Sequence, residues 1–337
     1  MLRFEMALIY ALTGALVSAG ILILLLKTRF AWRIAIDQPN TRSLHVLPVP
    51  RVGGWGVLPG ACILLATLDG ELRGIAAGAA FLGIVSQWDD RKGLSARLRF
   101  CAHLLTAAFF VWCTWRASLP MWLSMLVCVG VIWCINLYNF MDGSDGMAGG
   151  MAVIGFAAYA WMGVAADSTI GLGAAAVSGA ALGFLLLNFH PAKIFLGDAG
   201  SVPLGFLAAT FGLLGWSQNV WPAWFPLMVF SPFIVDATFT LVRRLVRGER
   251  FWEAHREHFY QRMVQMGGHA ATAWQWYGFM LAAAVLAALG TQWSAFGQAG
   301  ILGGWSVALI GWGAFIERRW RRHRQLREQR SRGGVIK

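Results

Sequence analysis

Charge is scarce in this chain. Of its 337 residues only 13% are Asp, Glu, Lys or Arg, while 58% are hydrophobic, and the mean hydropathy is +0.58. A soluble globular domain is nearer half apolar and a quarter charged, so this composition excludes one and indicates an integral membrane protein. The length would accommodate two soluble domains, yet no polar block is long enough to be either. Cysteine is sparse too. Cys62, Cys101, Cys113, Cys128 and Cys134 all lie inside apolar runs without metal-like spacing, and read as small packing residues. No small-residue cleavage site follows the first apolar run, so it reads as a retained helix rather than a signal peptide. The sequence also lacks internal repeats, and with them one mark of a secondary transporter.

The charge that is present is mostly basic, at a net +12. The basic residues occupy short connections between apolar runs and a C-terminal tail, which argues against a nucleic-acid partner. Apolar runs fall near 7–27, 54–68, 72–88, 99–116, 119–138, 147–166, 169–188, 201–216, 221–241, 273–292 and 297–317. At about 20 residues per crossing these make eleven candidate spans. With the N-terminus outside, the inward connections hold 25 of the 28 Lys and Arg residues, the bias expected of a cytoplasmic side. The expected fold is therefore all-α, a polytopic bundle of about 11 transmembrane helices with a cytoplasmic C-terminus. It forms one membrane domain, residues 1–317, with inner loops near 28–53, 89–98, 139–146, 189–200 and 243–272. A basic tail, 318–337, anchors to membrane lipid. Every connection of unusual polar content faces the cytoplasm, so the active face is placed there.

Five inner segments carry the chemistry. The central one, NLYNFMDGSDGMAGG (136–150), sets Asp142 and Asp145 three apart, so a helical turn would bring both to one face. Acids among apolar spans need pairing, hydration or a cation. In DQPNTRSLHVLPVPRVGG (37–54), Arg42, His45 and Arg51 offer donors to an anionic ligand, set against a plain positive-inside loop. Adjacent Asp89 and Asp90, with Arg97 and Arg99 nearby, suit Mg²⁺, although a solvated helix end with ion pairs reads the same way. In NFHPAKIFLGDAGS (188–201), Asp198 stands at the mouth of a helix, where backbone amides bind phosphate and an acid can share its metal, unless it is simply an N-cap. In AHREHFYQRM (254–263), His255 and His258 with Arg256 and Arg262 would form a basic helical surface suited to phosphate, but not a zinc site. Asp236, inside a span, is either functional or the ion-pair partner of Arg243 or Arg244.

These segments, in this order, resemble the polyprenyl-phosphate N-acetylhexosamine-1-phosphate transferases, glycosyltransferase family 4 of the MraY/WecA superfamily. The resemblance implies that undecaprenyl phosphate attacks the β-phosphorus of a UDP-N-acetylsugar, releasing UMP and requiring Mg²⁺ or Mn²⁺ in the inner membrane of a bacterium. It implies Asp198 as metal ligand, with Asp89 and Asp90 as catalytic pair and further ligands. Asn136, Asn139, Asp142 and Asp145 match the nucleotide and metal motif, His255 and His258 the basic motif that meets the diphosphate, and His45 the first loop's histidine. Arg42, Asn188, Lys193 and Arg256 join the substrate-binding set, and a homodimer is expected. Two departures stand out. Phe259, Tyr260 and Gln261 stand where many members have a leucine followed by adjacent histidines, and Ser43 where they have a basic residue. The first is closer to the O-antigen-initiating branch of lipopolysaccharide synthesis than to the muramoyl-pentapeptide enzyme. The rival reading is a polytopic carrier of a nucleotide-sugar or lipid-linked sugar.

Overall fold

The computed structural model describes residues 1–39, 43–68, 70–115, 118–249 and 255–333, with side chains to Gln329. In chain order it contains α1 (Leu2–Lys27), α2 (Ala31–Ile34), β1 (Ile36–Asp37), β2 (Val49–Pro50), α3 (Gly54–Thr67), α4 (Glu71–Lys92), α5 (Ala96–Trp115) and α6 (Met121–Phe140). There follow α7 (Met147–Ala165), α8 (Thr169–Asn188), α9 (Asp198–Ser217), α10 (Trp224–Val229), α11 (Ser231–Val246), α12 (Phe259–Gly267), α13 (His269–Gly290) and α14 (Ala295–Gly333). All eleven apolar runs fall on helices. Eight helices are long and apolar enough to cross a bilayer alone, and the chain is a multi-pass membrane protein. The other three runs show why length and hydropathy diverge. The helix α3 has only 14 residues, α4 ends in Asp89-Asp90-Arg91-Lys92, and the 221–241 run is broken at Phe230 into α10 and α11, with Pro232 opening the second piece.

The spans pack through small residues. A Cβ added at Gly179 or Gly183 of α8 would overlap the backbone of α1 at Ala11 or Ala15, so this Gly-xxx-Gly pair sets how closely the two helices approach. Beside them an aromatic cluster fills the space between α7, α9 and α10. Phe156 meets Phe211 edge-on at 5.7 Å, and Tyr159 stacks on Trp221 at 5.0 Å.

One short ladder decides where the site forms. The strands β1 and β2 pair antiparallel, Ile36 with Pro50 and Asp37 with Val49. The chain leaving β2 then pairs with the segment leading into α9. Phe195 N–H donates to the Pro50 carbonyl at 2.8 Å, Gly53 N–H to Phe195 at 2.9 Å and Gly54 N–H to Leu196 at 3.0 Å. Glycine is needed at 53 and 54, because a Cβ at either would collide with the backbone of Leu196 or Ala199. At the far end, α14 runs unbroken for 39 residues, roughly 58 Å at 1.5 Å per residue, so the basic tail continues a spanning helix.

Candidate active site

The helix ends and loops that carry the motifs enclose a polar cavity of about 300 Å³. Its wall holds His45, Asn139, Asp142, Asp145, Asn188 and Asp198 from the sequence-derived set, together with Asp37, Arg51, Phe195, Gln261 and His269.

The mouth of α9 forms one corner. Gly197 is its N-cap and takes φ 72°, a left-handed conformation that favours glycine. Asp198 is the first helical residue and makes no capping bond, which disposes of the N-cap reading. Asn139, at the end of α6, hydrogen-bonds Asp198 and accepts from Ser201 Oγ at 2.6 Å. The ladder places Arg51 here, with its guanidinium 3.6 Å from Asp90. Asp90 Oδ2 and Arg51 Nε are buried with no hydrogen-bond partner among the described residues. Burial, reinforced by the charge of Asp198 and opposed by Arg51, pushes the Asp90 carboxyl up to about 7. Asp142 is pushed well above the usual carboxylate range by burial and then by Asp198, Asp90 and Asp37, again opposed by Arg51. Four acids thus converge on one guanidinium.

Asp142 and Asp145 part company. Residues 141–146 form a turn between α6 and α7 rather than a helical turn, and Gly146 adopts a left-handed conformation at φ 74°. Asp142 therefore joins the acid cluster. Asp145 faces two histidines, with Oδ2 2.6 Å from His190 Nδ1 and Oδ1 3.6 Å from His269 Nδ1. Asn188 is committed to the scaffold: its Oδ1 accepts from Gly146 N–H at 2.9 Å and its Nδ2 donates to the Ile194 carbonyl at 2.8 Å.

Asp89 is engaged outside the cavity lining, accepting from Leu94 N–H at 2.5 Å and pairing with Arg99 at 3.2 Å. Asn136 bonds back to the Ile132 carbonyl within α6 at 2.8 Å. Lys193 is exposed and Arg256 half-buried, and neither lines the cavity. Arg42 lies outside the described residues. His45 lies edge-on to Phe195 at 4.8 Å, with its buried Nε2 3.9 Å from Asp37 and free of hydrogen bonds among the described residues.

The histidine motif is not the basic helical surface expected from its spacing. Residues 255–258 precede α12, and His258 is its buried N-cap, closing a capping box with Gln261. Asp236 explains the burial. It accepts from Phe259 N–H at 2.8 Å, Tyr260 N–H at 3.0 Å and Thr240 Oγ1 at 3.2 Å, and His258 Nδ1 lies 3.3 Å away. It therefore holds the N-terminus of α12. Arg243 pairs instead with Glu257 and Glu317, at 3.4 and 3.0 Å, and Arg244 with Glu257 at 2.9 Å. Burial first, then His258 and Arg244, pushes His255 down to about 4. Tyr260 seats α12 against the central loop by donating to the Phe140 carbonyl at 3.1 Å, and Gln261 reaches the cavity.

His269, Asp37, Phe195 and His190 were not singled out as site residues in the sequence. His269 follows a Gly-Gly pair at a helix start, which is a weak signal. The others sit inside motifs whose more eloquent neighbours drew the assignment.

Residues 72–215 match the family described as Glycosyl transferase family 4. The chain is 31% identical, over 79% of each sequence, to the probable undecaprenyl-phosphate N-acetylglucosaminyl 1-phosphate transferase of Bacillus subtilis. It is 29% identical to the decaprenyl-phosphate N-acetylglucosaminephosphotransferase of Mycobacterium tuberculosis, over 69% of this chain and 70% of the relative. To the undecaprenyl-phosphate alpha-N-acetylglucosaminyl 1-phosphate transferase of Escherichia coli O157:H7 it is 26% identical over 89% of each. The family match and the 31% identity to the Bacillus subtilis relative over 79% of each sequence show that the chain belongs to glycosyl transferase family 4.

Proposed function

We propose that this protein transfers a sugar-1-phosphate, of the N-acetylhexosamine type, from a UDP-sugar to undecaprenyl phosphate, giving UMP and undecaprenyl-diphospho-sugar at the cytoplasmic face of a bacterial inner membrane. The observation that carries this reading is the convergence of Asp142, Asp198 and Arg51 on the wall of one cavity, with Asp90 behind them against Arg51, in a family 4 chain. The carrier reading falls with the family, whose relatives here are named as transferases. A transporter site would also place its charge midway along broken spans, and these acids stand at helix ends.

The donor set fits a hard divalent cation. It is all oxygen, its negative charge exceeds what Arg51 can offset, and Asp90 Oδ2 is left without a hydrogen bond. Asp198 and Asp90 would hold Mg²⁺, with Asp89 behind them steadied by Arg99. When bound, the ion supplies charge neutralisation between the two phosphates.

The residues do the rest. Arg51 offers guanidinium donors to the diphosphate. Asn139 orients the Asp198 carboxylate, and Phe195 and His45, packed edge to face, give the cavity an aromatic corner. A phosphate monoester has a second pKa of about 6, so most of the acceptor is already a dianion at neutral pH. Little proton remains for a general base to remove, and Asp89 and Asp90 serve mainly to position. The lipid chain has a place to lie in an apolar cavity of about 310 Å³ between α6, α9, α10 and α11, lined by Leu126, Leu137, Leu213 and Phe230.

The test is UMP release by purified protein with Mg²⁺, undecaprenyl phosphate and a panel of UDP-N-acetylsugars. Tyr260 and Gln261, in place of histidines, point to a donor of the O-antigen-initiating branch, and the panel identifies it. No UMP with any donor, under conditions where a relative is active, overturns the proposal.

A further inference from the structure

A second set of donors converges on the cavity wall, away from the acid cluster. Asp145, His190 and His269 each offer an atom within 4.8 Å of the other two. They come from the turn before α7, the loop after α8 and the first residue of α13, so folding alone brings them together. The imidazole rings of His190 and His269 lie parallel, 5.2 Å apart with 5° between their planes.

The hydrogen bonds fix which atoms carry lone pairs. His269 Nε2 lies 3.3 Å from the Leu44 carbonyl, a contact only an N–H makes. In the neutral ring Nδ1 then carries the lone pair, which meets Asp145 N–H at 3.3 Å and Ser144 Oγ at 3.0 Å, contacts that the ion would displace. An outer imidazole N–H anchored on a backbone carbonyl is the arrangement that steadies a metal-bound histidine. The carboxylate is steadied too, since Asp145 Oδ2 accepts from Ala192 N–H at 3.2 Å. The His190 side chain is 41% exposed against 8% for Asp145, which leaves an ion a path from solvent.

We propose that Asp145, His190 and His269 form a cation site for a borderline-soft transition ion such as Zn²⁺, separate from the oxygen-only centre at Asp90 and Asp198. Two imidazoles and one carboxylate favour Zn²⁺, Co²⁺ or Ni²⁺ over Mg²⁺. Tetrahedral zinc with bonds of about 2.0–2.1 Å needs donors about 3.3 Å apart. The 2.6 Å and 3.6 Å separations lie on either side of that spacing and the third is within 4.8 Å, so seating the ion needs donor shifts of up to about 1.5 Å and a turn of the two parallel rings towards a common point. Binding takes the bridging proton off His190 Nδ1: a neutral ring carries it at Nε2 instead, and a doubly protonated ring releases it to solvent. Three protein ligands leave the fourth position for water or a phosphate oxygen. The ion would tie the 144–145 turn, the 189–192 loop and the start of α13 into one unit. The inference rests on these three residues and holds whatever reaction the cavity supports.

The test uses untagged full-length protein in detergent, stripped of metal, saturated with Mg²⁺ and titrated with Co²⁺. One equivalent should bind, with the visible absorption of a four-coordinate nitrogen and oxygen site, and Zn²⁺ should displace it. The exposed His190→Ala variant should lose at least about tenfold in Co²⁺ affinity, as should Asp145→Asn, while Asp198→Asn leaves it unchanged. No binding below about 100 µM overturns the proposal. So does binding that survives His190→Ala intact, and so does binding lost in Asp198→Asn alone, which would put the ion in the acid centre.

Discussion

Asp236→Ala is the substitution for which the structure gives the clearest magnitude. The carboxylate is 1% exposed and accepts three hydrogen bonds, two of them from the first backbone amides of α12. Thr240 can turn its hydroxyl to the carbonyl one helical turn back, so its loss costs little. The amides of Phe259 and Tyr260 have no such alternative. A buried donor left unpaired costs about 1–3 kcal/mol, so with two of them Ala should cost about 2–6 kcal/mol. Asn keeps one oxygen but turns an NH₂ towards the second donor, for about 2 kcal/mol. At about 2 °C per kcal/mol, the low end for larger chains, thermal unfolding in detergent should fall by roughly 4–12 °C for Ala and 4 °C for Asn. Activity should fall further than stability, because α12 carries Gln261 into the cavity wall. An Asp236→Ala protein that melts within 1–2 °C of wild type and turns over normally would refute the capping role of this acid (~2 kcal/mol is the least the loss of both amide partners could cost).

Other consequences are as open to measurement. In EDTA, stability should fall as pH rises from about 6 to 8. Folded Asp90, pushed up to about 7, keeps a proton that the unfolded chain gives up near 3.8, so the folded state binds more protons in that window and loses stability as pH rises. Mg²⁺ should restore more at pH 8 than at pH 6, and a flat or rising curve in EDTA counts against the acid cluster. His255, pushed down to about 4, acts below this window with the opposite sign, and acidification from about 6.5 destabilises the fold there. Arg51→Ala should cut kcat/KM about 100-fold or more, with Lys recovering part of it, since charge-assisted contacts to developing charge are worth about 2.7–4 kcal/mol; a loss under fivefold removes Arg51 from the phosphate site. Asp89→Asn should leave a defect that persists at high pH if Asp89 positions groups, whereas a defect that vanishes at high pH marks a general base. Gly143→Ala, whose Cβ would overlap the Tyr260 hydroxyl, should break the Tyr260–Phe140 hydrogen bond and lower activity with little change in binding of undecaprenyl phosphate alone.

Much of the architecture could be read from the residues because it depends on local order. Apolar runs of sufficient length become helices whatever surrounds them, and all eleven did. The mouth of α9 was visible for a similar reason, since a glycine on each side of Asp198 suits a helix start that the acid does not cap. The failures share a different cause. Spacing describes a helix face only where the chain is helical, and it is not helical at 141–146 or 255–258. Asp142 and Asp145 therefore diverge, and His258 turns inward. Asp236 looked like a partner for the next arginines in sequence, but those reach Glu257 and Glu317, and backbone amides more than twenty residues away claim the carboxylate. Asn188 and Asn136 show the same limit, because an amide bonded to its own scaffold has the same letter as one that faces a ligand. His269 makes its contacts with Leu44 and Asp145, and nothing near it in sequence announces either.

The ladder between residues 50–54 and 195–197 bears on how this cavity can change size. It hydrogen-bonds the segment carrying Arg51 directly to the one carrying Asp198, and the glycines at 53 and 54 leave no slack between them. Cation and acid are therefore mounted on one plate, and under the proposed function the ladder would hold their spacing while a diphosphate enters and leaves. Any widening to admit a donor or release a product has to come from the opposite side, where side chains do the fastening: His269 on Leu44, Tyr260 on Phe140 and Asp236 on the start of α12. The cavity has one fixed jaw and one hung on a few polar hooks.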